Sequence, residues 1–80
     1  MEVQAEGWYE GMKMEGHGKT GLGKLVYRDG SYYEGMFRDD RRHGKGTLFY
    51  SKDRPAYIGE WQFDRYNGKG TLFNKQPQPL

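Results

Sequence analysis

The sequence predicts an all-β fold: one twisted antiparallel sheet in which about six strands run as a meander of three tandem hairpins. Three observations predict it: a repeat at a spacing of 24 residues, side-chain alternation of period two inside each copy, and 16% aromatic residues alongside 13 glycines in 80 positions. The hydrophobic share is 34%, too low for a conventional two-layer core, while the aromatic content is too high for a disordered chain. A domain of this length has to economise on its core.

Tyr9-Glu10-Gly11, Tyr33-Glu34-Gly35 and Tyr57-Ile58-Gly59 open the three copies, and Gly21-Leu22-Gly23, Gly44-Lys45-Gly46 and Gly68-Lys69-Gly70 open their second strands. The copies cover about 8–31, 32–55 and 56–74, a tail of 75–80 follows, and 1–80 reads as a single domain. In copy one, Tyr9 and Gly11 share a side with Lys13, opposite Met12 and Met14. In copy two, Tyr33, Gly35 and Phe37 alternate with Glu34 and Met36, and Gly44, Gly46, Leu48 and Tyr50 alternate with Lys45, Thr47 and Phe49. Copy three sets Tyr57, Gly59, Trp61 and Phe63 against Ile58, Glu60 and Gln62, then closes with Gly68, Gly70 and Leu72.

Charged turns are expected at Glu15–Lys19, Arg38–Arg42 and Asp64–Tyr66, with connections at Arg28-Asp29-Gly30-Ser31 and Ser51–Ala56. Pro55 suits a loop or an edge there, because it cannot donate to a ladder. Glycine, aromatic or β-branched residues interrupt every candidate helix window. Rings and glycines share side-chain parity, so a large ring on one strand is expected to lie over a bare glycine on its neighbour and fill the concave face of the curled sheet.

The segments Tyr33-Glu34-Gly35-Met36-Phe37 through Gly44-Lys45-Gly46-Thr47-Leu48, and Tyr57-Ile58-Gly59-Glu60-Trp61 through Gly68-Lys69-Gly70-Thr71-Leu72, resemble MORN repeats (membrane occupation and recognition nexus). The resemblance covers nearly the whole chain, with two close copies and one looser one. It implies a hairpin-repeat sheet with a scaffolding role, commonly in cytoskeletal, ciliary or membrane-associated assemblies. Copy one departs from the pattern, with Lys13 where the others have Phe37 and Trp61, and with a longer turn, Glu15-Gly16-His17-Gly18-Lys19-Thr20. Terminal repeats are often atypical in this way.

Residues able to carry chemistry are sparse. Gly18-Lys19-Thr20 matches the end of a phosphate-binding loop, but the glycine required five residues earlier is Lys13 and no helix follows. His17 and His43 lack metal-ligand spacing and no cysteine supports them. Asp39 and Asp40 are neighbours in a turn, poorly placed to share a catalytic proton, and Ser31 and Ser51 sit outside any nucleophile motif. The expectation is a protein that is not an enzyme and uses no cofactor or metal.

Two surfaces remain. Lys19, Arg41, Arg42, Lys45 and Lys69 cluster at or after the hairpin turns and form a possible edge for an anionic partner, either acidic protein or lipid headgroups. Met12, Met14, Val26, Met36, Phe49, Ile58 and Phe73 share the parity opposite the rings and form a candidate partner-binding face, unless Lys75–Leu80 folds back over it. A formal charge of +2 gives no basis for nucleic-acid binding. The expected role is a protein-interaction or scaffold module, docking a helix or extended peptide on the sheet face or edge, or self-associating; the alternative is a peripheral binder of anionic lipid. With no secretory signal or apolar span in the sequence, a cytoplasmic setting, cytoskeletal or ciliary (flagellar), is expected.

Overall fold

The computed structural model describes residues 2–4 and 7–74, and every regular element among them is a strand. They are β1 (Glu2–Gln4), β2 (Gly7–Met14), β3 (Gly18–Tyr27), β4 (Tyr32–Arg38), β5 (Arg41–Ser51), β6 (Arg54–Gln62) and β7 (Arg65–Leu72). All pair antiparallel in chain order within one sheet. The three expected hairpins are β2–β3, β4–β5 and β6–β7. The short β1 is an addition, laid along Gly7, Trp8 and Tyr9.

Each repeat solves the same local problem. The first strand of each hairpin carries a bulge, between Gly11 and Lys13, Gly35 and Phe37, and Gly59 and Trp61. A bulge lifts one residue out of the ladder and leaves its carbonyl without a cross-strand donor. The repeat tyrosine supplies one: the Oη–H of Tyr9, Tyr33 and Tyr57 donates to the carbonyl of Met12, Met36 and Glu60 at 2.6, 2.7 and 2.9 Å. To reach that carbonyl the ring crosses the glycine pair Gly11–Gly23, Gly35–Gly46 or Gly59–Gly70, where any Cβ would collide with it. Tyrosine, bulge and paired glycines are therefore one device.

The rings meet along one face. Tyr33 is 0% exposed and makes edge contacts with Phe37 at 5.1 Å and Trp61 at 5.2 Å; Tyr9 meets Phe37 at 5.4 Å. Trp61 Nε1–H donates to the Gly46 carbonyl at 3.0 Å, so its polar atom is paired as well. Leu25 completes the core cluster, with Tyr27 and Leu48 packed against it. The molecule measures 50 × 28 × 15 Å, its thin dimension that of one strand layer and its side chains.

Several turns differ from expectation. Asp39-Asp40 and Phe63-Asp64 form two-residue turns with φ of 48° and 72°, and of 48° and 68°, the left-handed pair that matches the twist of a hairpin. Phe63 is thus a turn residue, and Tyr66 lies within β7 opposite Trp61. The Ser51–Ala56 connection shortens to Lys52-Asp53. Pro55 lies inside β6, opposite Phe49 between two register shifts, where the irregular ladder tolerates its missing N–H.

Candidate functional site

Consecutive hairpins are joined by a clasp as well as a ladder. Residues two before each Gly-x-Gly element, Lys19 and Arg42, are gripped by the turn aspartate of the next hairpin. The Lys19 N–H donates to Asp40 Oδ1 at 3.1 Å, Lys19 Nζ donates to the same oxygen at 3.0 Å, and the Asp40 N–H donates back to the Lys19 carbonyl at 2.9 Å. One repeat on, the Arg42 N–H and Nε–H reach Asp64 Oδ1 at 2.8 and 3.0 Å, and the Asp64 N–H returns to the Arg42 carbonyl at 3.0 Å. The Arg42 guanidinium also covers the Trp61 ring at 4.7 Å.

Neither cation belongs to a free basic edge, which corrects the expectation for Lys19 and Arg42. Lys19 is 3% exposed and lies 5.6 Å from the Tyr9 ring centroid, in the row occupied by Arg42 and Tyr66 in the other repeats. Arg41 stays at a turn, 5.9 Å from the Phe63 ring, while Lys45 and Lys69 stand within strands beside Glu60. Lys45 and Lys69 flank Glu60 in one shallow depression, apart from the two clasped cations Lys19 and Arg42. Lys19 is also unavailable to phosphate, since its ammonium is turned inward onto Asp40.

The Lys19 amide N–H is the main cause that holds the Asp40 carboxyl below the usual carboxylate range; burial opposes it, and the charges of Lys19 and Lys13 add to it. Because the folded value is the lower one, the clasp is fully present above the unfolded pKa of about 3.9 and is lost as pH falls through the folded value. Asp40→Asn should therefore cost about 1 kcal/mol at pH 7, the small figure reflecting a carboxylate that is 59% exposed. The same variant should show a shallower loss of stability below pH 4 than the parent. Urea midpoints at pH 7 and pH 3 measure both.

On the opposite face the seven predicted apolar residues split into groups. Trp8, Val26, Tyr32 and Phe49 form one cross-strand row, with Tyr32 stacked on Phe49 at 4.4 Å. Met12, Leu22 and Met36 form a second, in which Leu22 pairs directly with Met36. Between them runs the polar row Glu10, Lys24, Glu34 and Thr47, where opposite charges face each other across the strands. Ile58 continues this polar row, and Phe73 lies just past β7. Met14 stands by the first turn, opposite Gly18.

Leu22, 66% exposed, and Trp8 are members the sequence reading missed. Their parity matched that of Met36 and Val26 once the strands were paired. Leu72, expected to be structural, is 66% exposed because β7 has no neighbour on its far side among the described residues. The tail Lys75–Leu80, offered as a cover for this face, lies outside the described residues.

His43 packs against the Phe63 ring at 5.3 Å with its Nδ1 buried, and the His17 Nδ1 lies 2.8 Å from Asp39 Oδ1. No group of three or more metal-ligating side chains occurs among the described residues, nor is any helix there long and apolar enough to cross a membrane. The repeated tyrosine, bulge and paired glycines coincide with three matches to the family model for the MORN repeat, at residues 7–32, 33–53 and 57–74. The chain belongs to the MORN-repeat family. Comparison with curated proteins returns no match. MORN repeats are a non-catalytic module and generally mediate contacts with proteins or membranes. In this MORN chain each clasp ties one hairpin to the next, and the Trp8 and Met12–Leu22–Met36 rows lie on the first two repeats.

Proposed function

We propose that this MORN chain is a non-enzymatic protein-interaction module, a small scaffold component of a cytoplasmic assembly of cytoskeletal or ciliary type. The observation that carries the interaction reading is the exposed Met12–Leu22–Met36 group, together with Trp8, on a face with no second layer over it among the described residues. Methionine side chains adapt to a partner's shape, and the flanking Glu10, Lys24 and Glu34 supply a polar rim. The cytoskeletal or ciliary setting rests on the family resemblance alone.

The test is a paired pull-down with the parent and the Leu22→Lys/Met36→Glu double variant, whose opposite charges face each other across the β3–β4 ladder. Both positions are exposed, so the unfolding free energy should stay within about 0.5 kcal/mol of the parent, while a stoichiometric partner held by the parent should be lost. A partner retained equally by both proteins would remove this face from the function. The alternative, a peripheral binder of anionic lipid, would rest on Arg41, Lys45 and Lys69, since Lys19 and Arg42 are held by Asp40 and Asp64.

A further inference from the structure

On β2 to β5 the open face carries three cross-strand rows that share one pattern. The first runs Trp8, Val26, Tyr32, Phe49, and the second Glu10, Lys24, Glu34, Thr47. The third runs Met12, Leu22, Met36 and, past the bulge, reaches Lys45, which shares a face with Thr47. A half-turn about a line parallel to the strands, between β3 and β4, exchanges β3 with β4 and β2 with β5. Laid on a second copy in this way, Val26 meets Tyr32, Trp8 meets Phe49, Leu22 meets Met36 and Lys24 meets Glu34. Met12 falls along the methylene stem of Lys45, and Glu10 falls on Thr47. A line along β3 would instead set Lys24 on Lys24, and one along β4 would set Glu34 on Glu34.

The two central charges are free to take part. The Lys24 ammonium lies over the Tyr32 ring at 4.8 Å, and the exposed Glu34 carboxylate has no ion pair among the described residues. Four strands about 4.8 Å apart and three rows about 7 Å apart give a footprint of roughly 20 by 20 Å on each copy. Two such faces packed in the aligned manner of a sandwich interdigitate their side chains. A contact of that size is at the small end of specific interfaces and suits a reversible dimer. The strands involved, β2 to β5, each have a neighbour on both sides, so the contact uses no sheet edge.

We propose that this face pairs with the same face of a second copy of the chain, in a two-fold dimer whose axis runs parallel to the strands between β3 and β4. Two ion pairs, each joining Lys24 of one copy to Glu34 of the other, fix the register, and the Leu22–Met36 and Val26–Tyr32 contacts supply the apolar burial. This rests on the reading of the face as the interaction surface and names its occupant.

The test is sedimentation of the purified full chain over a range of concentrations, in which the parent is expected to pass from monomer to dimer in the micromolar range. Lys24→Glu sets acid on acid and Glu34→Lys sets base on base, so each variant alone should dimerise about tenfold more weakly or less still. An equimolar mixture of the two should recover the parent's affinity as a heterodimer, because opposite charges then meet at both contacts. Mixing cannot mend a fold, so recovery separates a lost contact from a lost structure. A second measurement needs no variant: carbodiimide coupling of mixed ¹⁴N- and ¹⁵N-labelled parent should give Lys24–Glu34 cross-linked peptides that carry both isotopes. A parent still monomeric at about 300 µM, variants that dimerise as the parent does, a mixture that recovers nothing, or cross-links confined to single-isotope peptides would each overturn the proposal. A monomeric parent that captures a different polypeptide, lost in Leu22→Lys/Met36→Glu, would sink the second copy and leave the face reading standing.

Discussion

Gly46→Ala is expected to destabilise the protein by about 3 kcal/mol, a large share of the total for a domain of this size. The added methyl would meet Oη, Cζ and Cε1 of Tyr33. That ring has nowhere to go: Phe37 and Trp61 hold its edges, and its hydroxyl is committed to the Met36 carbonyl. Gly70→Ala should behave alike against Tyr57, and Gly23→Ala should cost less, because its nearest Tyr9 atoms lie at 2.5 to 2.9 Å. Gly16→Ala serves as a control. It meets nothing within 4 Å and pays only for a φ of 84°, about 1 kcal/mol. Urea midpoints should rank Gly46 and Gly70 first, then Gly23, then Gly16; equal costs at Gly46 and Gly16 would show that ring crowding is not what excludes side chains there.

Tyr33→Ala should cost about 4 kcal/mol, since it opens a cavity at the centre of the ring stack and leaves the Met36 carbonyl without its donor. Tyr33→Phe separates the two effects. It keeps the ring and should cost about 1 to 2 kcal/mol, the penalty for an unmet acceptor beside the bulge. A Tyr33→Phe protein as stable as the parent would show that the hydroxyl plays no part in holding the bulge. Burial pushes the Tyr33 phenol well above its ordinary value, with the nearby Arg42 charge opposing. The folded pKa is the higher one, so this contribution is intact below the unfolded value of about 10 and is lost as pH rises through the folded value. An ultraviolet titration should leave the Tyr33 phenol unionised until the chain unfolds, and Tyr33→Phe should remove that late step.

The sheet was readable because its pattern is local. Tyr33, Gly35 and Phe37 fall two apart and recur at 24, so strand, face and partner glycine follow from counting. What escaped were features set by where the count slips. The bulge and the longer first turn decide how Lys19 pairs, and with them whether that lysine faces solvent or the Tyr9 ring. Phe63 read as a strand aromatic because nothing in its own chemistry favours a left-handed turn; the turn is imposed by Asp64 reaching Arg42. β1 went unseen because three residues give no alternation to measure. The clasp itself was in plain view once the copies are aligned on Gly-x-Gly: Lys19, Arg42 and Tyr66 stand two before it, and His17, Asp40 and Asp64 four before. The candidate site was legible only in part, since parity assigns Met36 and Val26 to one face but cannot show that Glu34 and Lys24 run between their rows.

Strict chain-order pairing from β1 to β7 also bears on how the molecule acquires its shape. Each ribbon needs only the one just before it, so no distant segments have to find each other and the entropy of closing long loops is avoided. Assembly is then expected to behave as a zipper that starts at any hairpin and spreads both ways, faster than is usual for an all-strand protein, with the outermost ribbons the first to fray.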